Sequence, residues 1–578
     1  MNGGQIIAQI LKANGVQHLF TLCGGHIAPI YVEAEKSGIK VTDVRNEASA
    51  VFAADAMARI SGIPGIAAVT AGPGVTNSIT ALKNAQMAQS PVVLLGGATA
   101  TMLKGRGALQ DIEQLSPVKS IVKFSASVRR LRDLGPLLRK AIKTAQSGTP
   151  GPVFVEIPVD LLYDEAIVRE WYSKKAGADA NWQERLVNWY IKRHVDGLFS
   201  HTQTKVNQAE LPDIPSSLYP KASATHKLSA LIQGARKPLM LIGSGAMLLP
   251  QKAQDLAEAV KKLGIPVYLS GMARGLLGRQ NELQCLHERK KALREADLII
   301  LAGVSCDFRL DYGGHLGRKA LKVAISRHKP DISKNIKPQL AVLADPALTI
   351  VQVASSLNTR DNWADWKKHL HEREQQRASE IARQAAEPVQ HGMNPIALFS
   401  LLEQRLPQNS VLIADGGDFA ATAAYTLRPR GPLAWLDPGA FGTLGVGGGF
   451  ALSAALQYPD TYTWIIYGDG SAAYSLTEFD TFTKCRMRVC AIIGNNGSWE
   501  QIARDQVTML GAATATQLPR SDYHLIAQAF GAAGERVETL ETFEQSISHA
   551  IQSMDKGIPY VINAVIGSTE FRKGSISM

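Results

Sequence analysis

Short, uninterrupted apolar runs, each ended by glycine or small polar residues and separated from the next by a stretch of helical periodicity, recur along this chain. Residues 65–70, 91–95 and 152–157 carry the first series. Residues 238–242, 265–269, 296–301 and 321–325 repeat it, and 464–467 and 489–493 bring it back a third time. Such runs are too short for a buried helix and lack the alternation of a half-exposed strand, so they read as strands covered on both faces. Strands of that kind, joined through helices, belong to parallel sheets. The expectation is an α/β protein of three consecutive doubly wound parallel-sheet domains. A length of 578 residues suits it, at ~100–200 residues per domain. The expected boundaries are 1–167, 222–355 and 391–578. A long aromatic and basic linker fills 168–221, and a charged helical linker fills 356–390.

Composition narrows the class. Hydrophobic residues at 45% with 20% charged are those of an ordinary folded protein. The five cysteines, Cys23, Cys285, Cys306, Cys485 and Cys490, are scattered and include no Cys-x-x-Cys pair. Neither a disulfide framework nor a zinc site is expected, and a cytoplasmic location fits. A formal charge of +11 points to anionic partners. No basic element suited to nucleic acid stands out, so a phosphate-bearing small molecule is the expected partner. No stretch approaches the ~18 apolar residues of a membrane span, and residues 1–20 open on an amphipathic helix pattern rather than a signal peptide. Around 183–199 the first linker has a helical pattern that mixes aromatics with Lys and Arg. It reads either as a helix packed on its own protein or as one that touches a membrane surface or partner.

Two of the apolar runs lead into chemistry. Residues 464–467 run into Gly468-Asp469-Gly470-Ser471, and 489–493 run into Asn495-Asn496, twenty-seven positions separating Asp469 from Asn496. A carboxylate, an amide oxygen and nearby backbone carbonyls are hard ligands, suited to Mg²⁺ or Ca²⁺ that keeps sites for a substrate's phosphates. Asp469, Asn496 and Ser498 are the candidate metal ligands, and Gly468, Gly470 and Ser471 complete a diphosphate anchor. Far upstream, Val44-Arg45-Asn46-Glu47-Ala48 places Glu47 at the start of a small-residue helix, where a carboxylate at the least complements the helix dipole. Thr70-Ala71-Gly72-Pro73-Gly74-Val75-Thr76-Asn77 reads as strand, tight loop and helix. His26, in the loop Cys23 to Pro29, is either a buried, satisfied histidine or a proton-transfer group.

Gly-Asp-Gly followed at a distance by Asn-Asn resembles the thiamine-diphosphate motif of the acetolactate synthase, pyruvate decarboxylase and oxalyl-CoA decarboxylase superfamily. The resemblance implies that Glu47 meets the aminopyrimidine ring and promotes loss of the C2 proton. It implies that Pro73 and Asn77 line the pyrimidine pocket, that Gly442 offers its carbonyl to the ring amino group, and that Leu444 props the cofactor into its bent shape. Gly417, Asp418 and Phe419 fall near the diphosphate, with Asp418 departing from the family's Gly-Gln-His. Gln110 aligns with an active-site glutamine that bonds a substrate oxygen. Gly25 and His26 approach the thiazolium from the other side, in place of the Pro-Gly-Gly-Ala of typical synthases.

Over nearly the whole chain, stretches such as 53–62, 84–91, 271–278, 436–442 and 571–576 resemble the acetolactate synthase-like group also described as 2-hydroxyacyl-CoA lyase 2. That implies a thiamine-diphosphate- and Mg²⁺-dependent carbon–carbon lyase cleaving a 2-hydroxyacyl-CoA reversibly to an aldehyde and formyl-CoA. The alternatives are an acetolactate synthase acting on a 2-keto acid, and a non-catalytic homologue. In this superfamily the acid and the diphosphate site meet across a subunit interface, which implies a homodimer or homotetramer. In the central domain Gly243-Ser244-Gly245 lacks the third glycine of the dinucleotide fingerprint. The resemblance implies ADP or a CoA nucleotide there, while Ser326-Arg327-His328 in place of the family's Asp-x-Asp counts against FAD.

Overall fold

The three series of apolar runs form three wholly parallel, six-stranded sheets. The computed structural model describes residues 1–172, 182–200, 214–357 and 363–573. Parts of the aromatic linker and the last residues of the tail stretch 571–576 lie outside the described residues.

The first sheet holds β1 (His18–Thr21), β2 (Lys40–Asp43), β3 (Gly65–Val69), β4 (Val92–Ala98), β5 (Phe124–Ser127) and β6 (Val153–Pro158). Their order is β2-β1-β3-β4-β6-β5. The second holds β7 (Pro238–Ile242), β8 (Val267–Leu269), β9 (Gln284–Cys285), β10 (Leu298–Ala302), β11 (Leu321–Ser326) and β12 (Leu340–Leu343), in the order β12-β11-β10-β7-β8-β9. The third holds β13 (Ser410–Ala414), β14 (Trp435–Leu436), β15 (Tyr462–Gly468), β16 (Val489–Asn495), β17 (Ala533–Val537) and β18 (Tyr560–Val565), in the order β14-β13-β15-β16-β18-β17. The central strands β3, β4, β7, β10, β13 and β16 are buried at every residue, as their unbroken apolar runs require.

The first and third sheets share one topology, and the middle sheet has the strand order of dinucleotide-binding folds. In such sheets ligands bind beyond the carboxyl ends of the strands where the winding reverses. That point lies between β1 and β3 in the first sheet, between β7 and β10 in the second, and between β13 and β15 in the third.

The packing forms two compact units, 1–58 with 63–213 and 59–62 with 214–578. The second and third sheets share a unit because side chains tie them together. Glu403 takes Arg279 at 2.8 Å and Arg430 at 2.7 Å. Glu374, on the helix Ala364–Ala385 that occupies the second linker, accepts the backbone N–H groups of Leu286 and His287 at 3.1 and 2.7 Å.

Candidate active site

At the reversal point of the third sheet, loops from β13, β15 and β16 line a cavity of about 280 Å³. Asp469 follows β15 directly and opens the turn Asp469–Ala472. The residue is 2% exposed. It accepts backbone N–H groups from Gly470 at 2.8 Å, Gly497 at 2.7 Å and Ser498 at 3.3 Å. Burial pushes its pKa up against these bonds. No salt bridge reaches it among the described residues, so a buried carboxylate lacks a counter-charge, the situation a bound cation resolves. Asn496, after β16, accepts from the Ser498 N–H at 3.1 Å and donates to Glu500 at 3.0 Å.

Every residue expected in this half lines the same cavity: Gly417, Asp418, Phe419, Gly442, Leu444, Gly468, Asp469, Gly470, Ser471, Asn496 and Ser498. Gly417 and Gly442 have φ of +89° and +67°, and a Cβ on either would meet nothing within 4 Å, which leaves open backbone on the cavity wall. Leu444 packs on Gly416, where a Cβ would strike it. Asp418 is ion-paired with Arg504 at 2.8 Å. Thr422, Trp499, Glu500, Ser568 and Thr569 also line the cavity without having been singled out. Trp499 lies over Gly470, where a Cβ would sit 2.5 Å from its ring, a contact no local pattern announces.

One buried carboxylate shapes this wall from behind. Asp415, 1% exposed at the end of β13, accepts from Gly445 at 3.0 Å and Gly447 at 2.7 Å. These are the first residues of the helix Val446–Gln457 and its cap. It thereby anchors the turn that carries Gly442 and Leu444. Burial pushes its pKa up to about 7 against those bonds.

In the first sheet the loops after β1 and β3, strand β4 and the loop that follows it meet through three glycines. A Cβ on Gly24 would lie 2.5 Å from Thr70 Cβ, one on Gly97 2.8 Å from His26 Cβ, and one on Gly72 3.0 Å from Gln110 Cβ. Their absence brings His26, Thr70 and Gln110 together. The Thr70 hydroxyl donates to Gln110 Oε1 at 3.3 Å and lies 3.4 Å from His26 Nδ1. Gln110 has φ of +62°, a strained conformation for a non-glycine residue. His26 is half-buried, and burial lowers its pKa although a bond with Gln110 opposes this. Gln114, missed by sequence reasoning, is 2% exposed and takes the Gly72 N–H at 2.9 Å. It also donates to Glu156 at 2.9 Å.

Glu47 begins the helix Glu47–Ser61 and is 7% exposed. Asn77, at the end of the short helix Pro73–Asn77, donates to its Oε2 at 3.1 Å. Pro73 and Gly25 are exposed on the same unit.

The middle sheet does not reproduce a dinucleotide cradle. Gly243 and Gly245 pack on Gly303, with a Cβ on Gly243 falling 2.6 Å from the Gly303 carbonyl oxygen. Ser244 Oγ accepts from the Met272 N–H at 3.1 Å. Two 3-10 turns separate β7 from its helix Ala253–Leu263, so no helix N-terminus follows the glycines directly, as a pyrophosphate would need.

Family models named for the thiamine pyrophosphate enzymes match this chain in three places. The N-terminal TPP-binding domain covers residues 1–116, the central domain 225–353 and the C-terminal TPP-binding domain 415–564. The chain is a member of the thiamine pyrophosphate enzyme family. The buried, cation-demanding Asp469 and the open glycine wall fit that cofactor's diphosphate. Among relatives, the 2-hydroxyacyl-CoA lyase 2 of Danio rerio is 45% identical over all of this chain and 93% of its own length. That of Homo sapiens is 46% identical over all of this chain and 92% of its own. The acetolactate synthase large subunit IlvG of Mycobacterium tuberculosis is 30% identical over 98% of this chain and 96% of its own. No described helix of this thiamine pyrophosphate enzyme is long and apolar enough to cross a membrane.

Proposed function

We propose that this enzyme is a thiamine-diphosphate- and Mg²⁺-dependent lyase that cleaves a 2-hydroxyacyl-CoA reversibly to an aldehyde and formyl-CoA. The observation that carries the reading is full-length identity of 45% and 46% to lyases of that name, against 30% to an acetolactate synthase.

Bound thiamine diphosphate supplies a carbon nucleophile and an electron sink for carbon–carbon cleavage. Asp469, Asn496 and the Ser498 carbonyl would hold the Mg²⁺, with few protein ligands and so with positions left for phosphate oxygens. Glu47, oriented by Asn77, holds and exchanges the proton on the cofactor's ring nitrogen. Because the Gln110 amide oxygen is taken by Thr70, its amino group is left to donate to a substrate oxygen. His26, whose pKa burial lowers, is assigned the proton-transfer role beside Gln110. We assign 1–167, 222–355 and 391–578 as the pyrimidine-binding, central and diphosphate-binding domains. The acid of one copy is assigned to the diphosphate site of another, in a homodimer or homotetramer.

The test is the purified protein with thiamine diphosphate and Mg²⁺, given a 2-hydroxyacyl-CoA in one vessel and pyruvate in another, with products identified by mass. Aldehyde and formyl-CoA are expected, and chelation of the metal abolishes them. Acetolactate from pyruvate, with no turnover of the CoA ester, would replace this reading with the synthase one.

A further inference from the structure

The helix Trp182–Phe199 is apolar on two opposite faces. One face is accounted for: Val195, Leu198 and Phe199 are buried in the core of the first unit, with Ile191 packed against it. On the other, Trp182, Leu186 and Trp189 follow at the four- and three-residue spacing of a single helix face. They are 72%, 56% and 55% exposed, and Tyr190 beside them is 56% exposed. A surface helix needs only one apolar face to pack on its own protein, and a second, exposed one marks an interaction surface.

Charge indicates what covers this one. Arg193 continues the stripe one turn beyond Trp189 and lies over its ring at 5.3 Å. Arg185 and Lys192 lie along one side of it and are exposed. Of the helix's acids, Asp196 is turned aside to Arg169 at 2.6 Å, and Glu184 falls toward the opposite side of the helix from the stripe. Large aromatics at the centre with long cations reaching past them are the chemistry of an interfacial helix on an anionic bilayer. There the indoles sit among the headgroups and the cations meet lipid phosphates. A protein interface would more often pair such cations with carboxylates of its own.

We propose that the outer face of this helix docks the enzyme on an anionic phospholipid surface without crossing it. The test is flotation of the full chain with vesicles of phosphatidylcholine alone or of phosphatidylcholine with phosphatidylglycerol. Co-flotation with the anionic vesicles, weakening as salt is raised, is expected. Replacing Trp182, Leu186 and Trp189 together by serine should cut the bound fraction by roughly tenfold or more at an unchanged melting temperature. Arg185→Gln, Lys192→Gln and Arg193→Gln together should erase the preference for anionic lipid, and these exposed positions keep the test valid if the serine variant fails to fold. Wild-type protein that ignores both vesicle types overturns the proposal. So does a serine variant that floats normally but elutes as a smaller assembly, since a second copy would then cover the face.

Discussion

Glu47 illustrates how much a single carboxyl can carry, and its test is direct. Glu47→Gln is expected to keep thiamine-diphosphate affinity within a few-fold and to slow C2 proton exchange by roughly 10²–10⁴, read by deuterium exchange of the bound cofactor. Exchange at the unmodified rate would remove Glu47 from the proton path. Asp415 acts at one remove, through the turn it anchors. With a folded pKa near 7 against 3.8 for the free group, it contributes stability that is complete below pH 3.8 and lost as pH rises through 7. Asp415→Asn is therefore expected to destabilise by about 1–3 kcal/mol at pH 5 and by less at pH 8, measured as urea midpoints. A deficit that grows with pH contradicts the assignment. Asp469, Asn496 and Glu47 were legible in the sequence because each sits at a strand or helix end with a recognisable residue pattern. Asp415, Thr70 and Gln114 were not, because what distinguishes them is the partner each meets across the fold.

At the scale of elements, the site depends on glycines that let loops touch. Gly72 has φ of +65°, and a Cβ there would lie 3.0–3.2 Å from Gln110 atoms. Gly72→Ala is expected to lose about 1–3 kcal/mol of stability. By displacing the Gln110 loop it should also lower kcat/KM by roughly 10–100-fold, with circular dichroism unchanged. A variant of full activity would show that the Gln110 loop tolerates displacement. Between the second and third sheets, His287 is 6% exposed and stacks on Tyr425 at 5.2 Å. Burial, then Arg377 and Arg428, lower its pKa from 6.5 to about 4. Its contribution is complete above pH 6.5 and lost as pH falls through 4. His287→Phe, keeping the stack, should flatten the decline in stability across that window, followed by thermal melts from pH 7 to pH 4. An equally steep decline would place the acid sensitivity elsewhere.

At the scale of the whole molecule, the proposed sharing of the site between copies makes a prediction no single-chain site makes. Glu47→Gln and Asp469→Asn chains, each inactive alone, should recover about a quarter of wild-type activity when co-assembled. Half of a random dimer population is mixed, and each mixed dimer keeps one intact site of two. No recovery would mean that each site is built within one chain. Three parallel sheets could be read from the chain alone, because unbroken apolar runs between helical segments have no other stable arrangement than strands covered on both faces. The diphosphate loops could be read too, since hard ligands and glycines follow those strands locally. Three things awaited the folded chain. These were the grouping of two sheets into one unit through Glu403 and Glu374, the closure of the middle sheet's reversal point by its own glycines, and the convergence of His26, Thr70 and Gln110. Each is a contact between segments far apart in sequence, and only packing decides which distant backbones come close enough for a missing Cβ or a buried charge to matter.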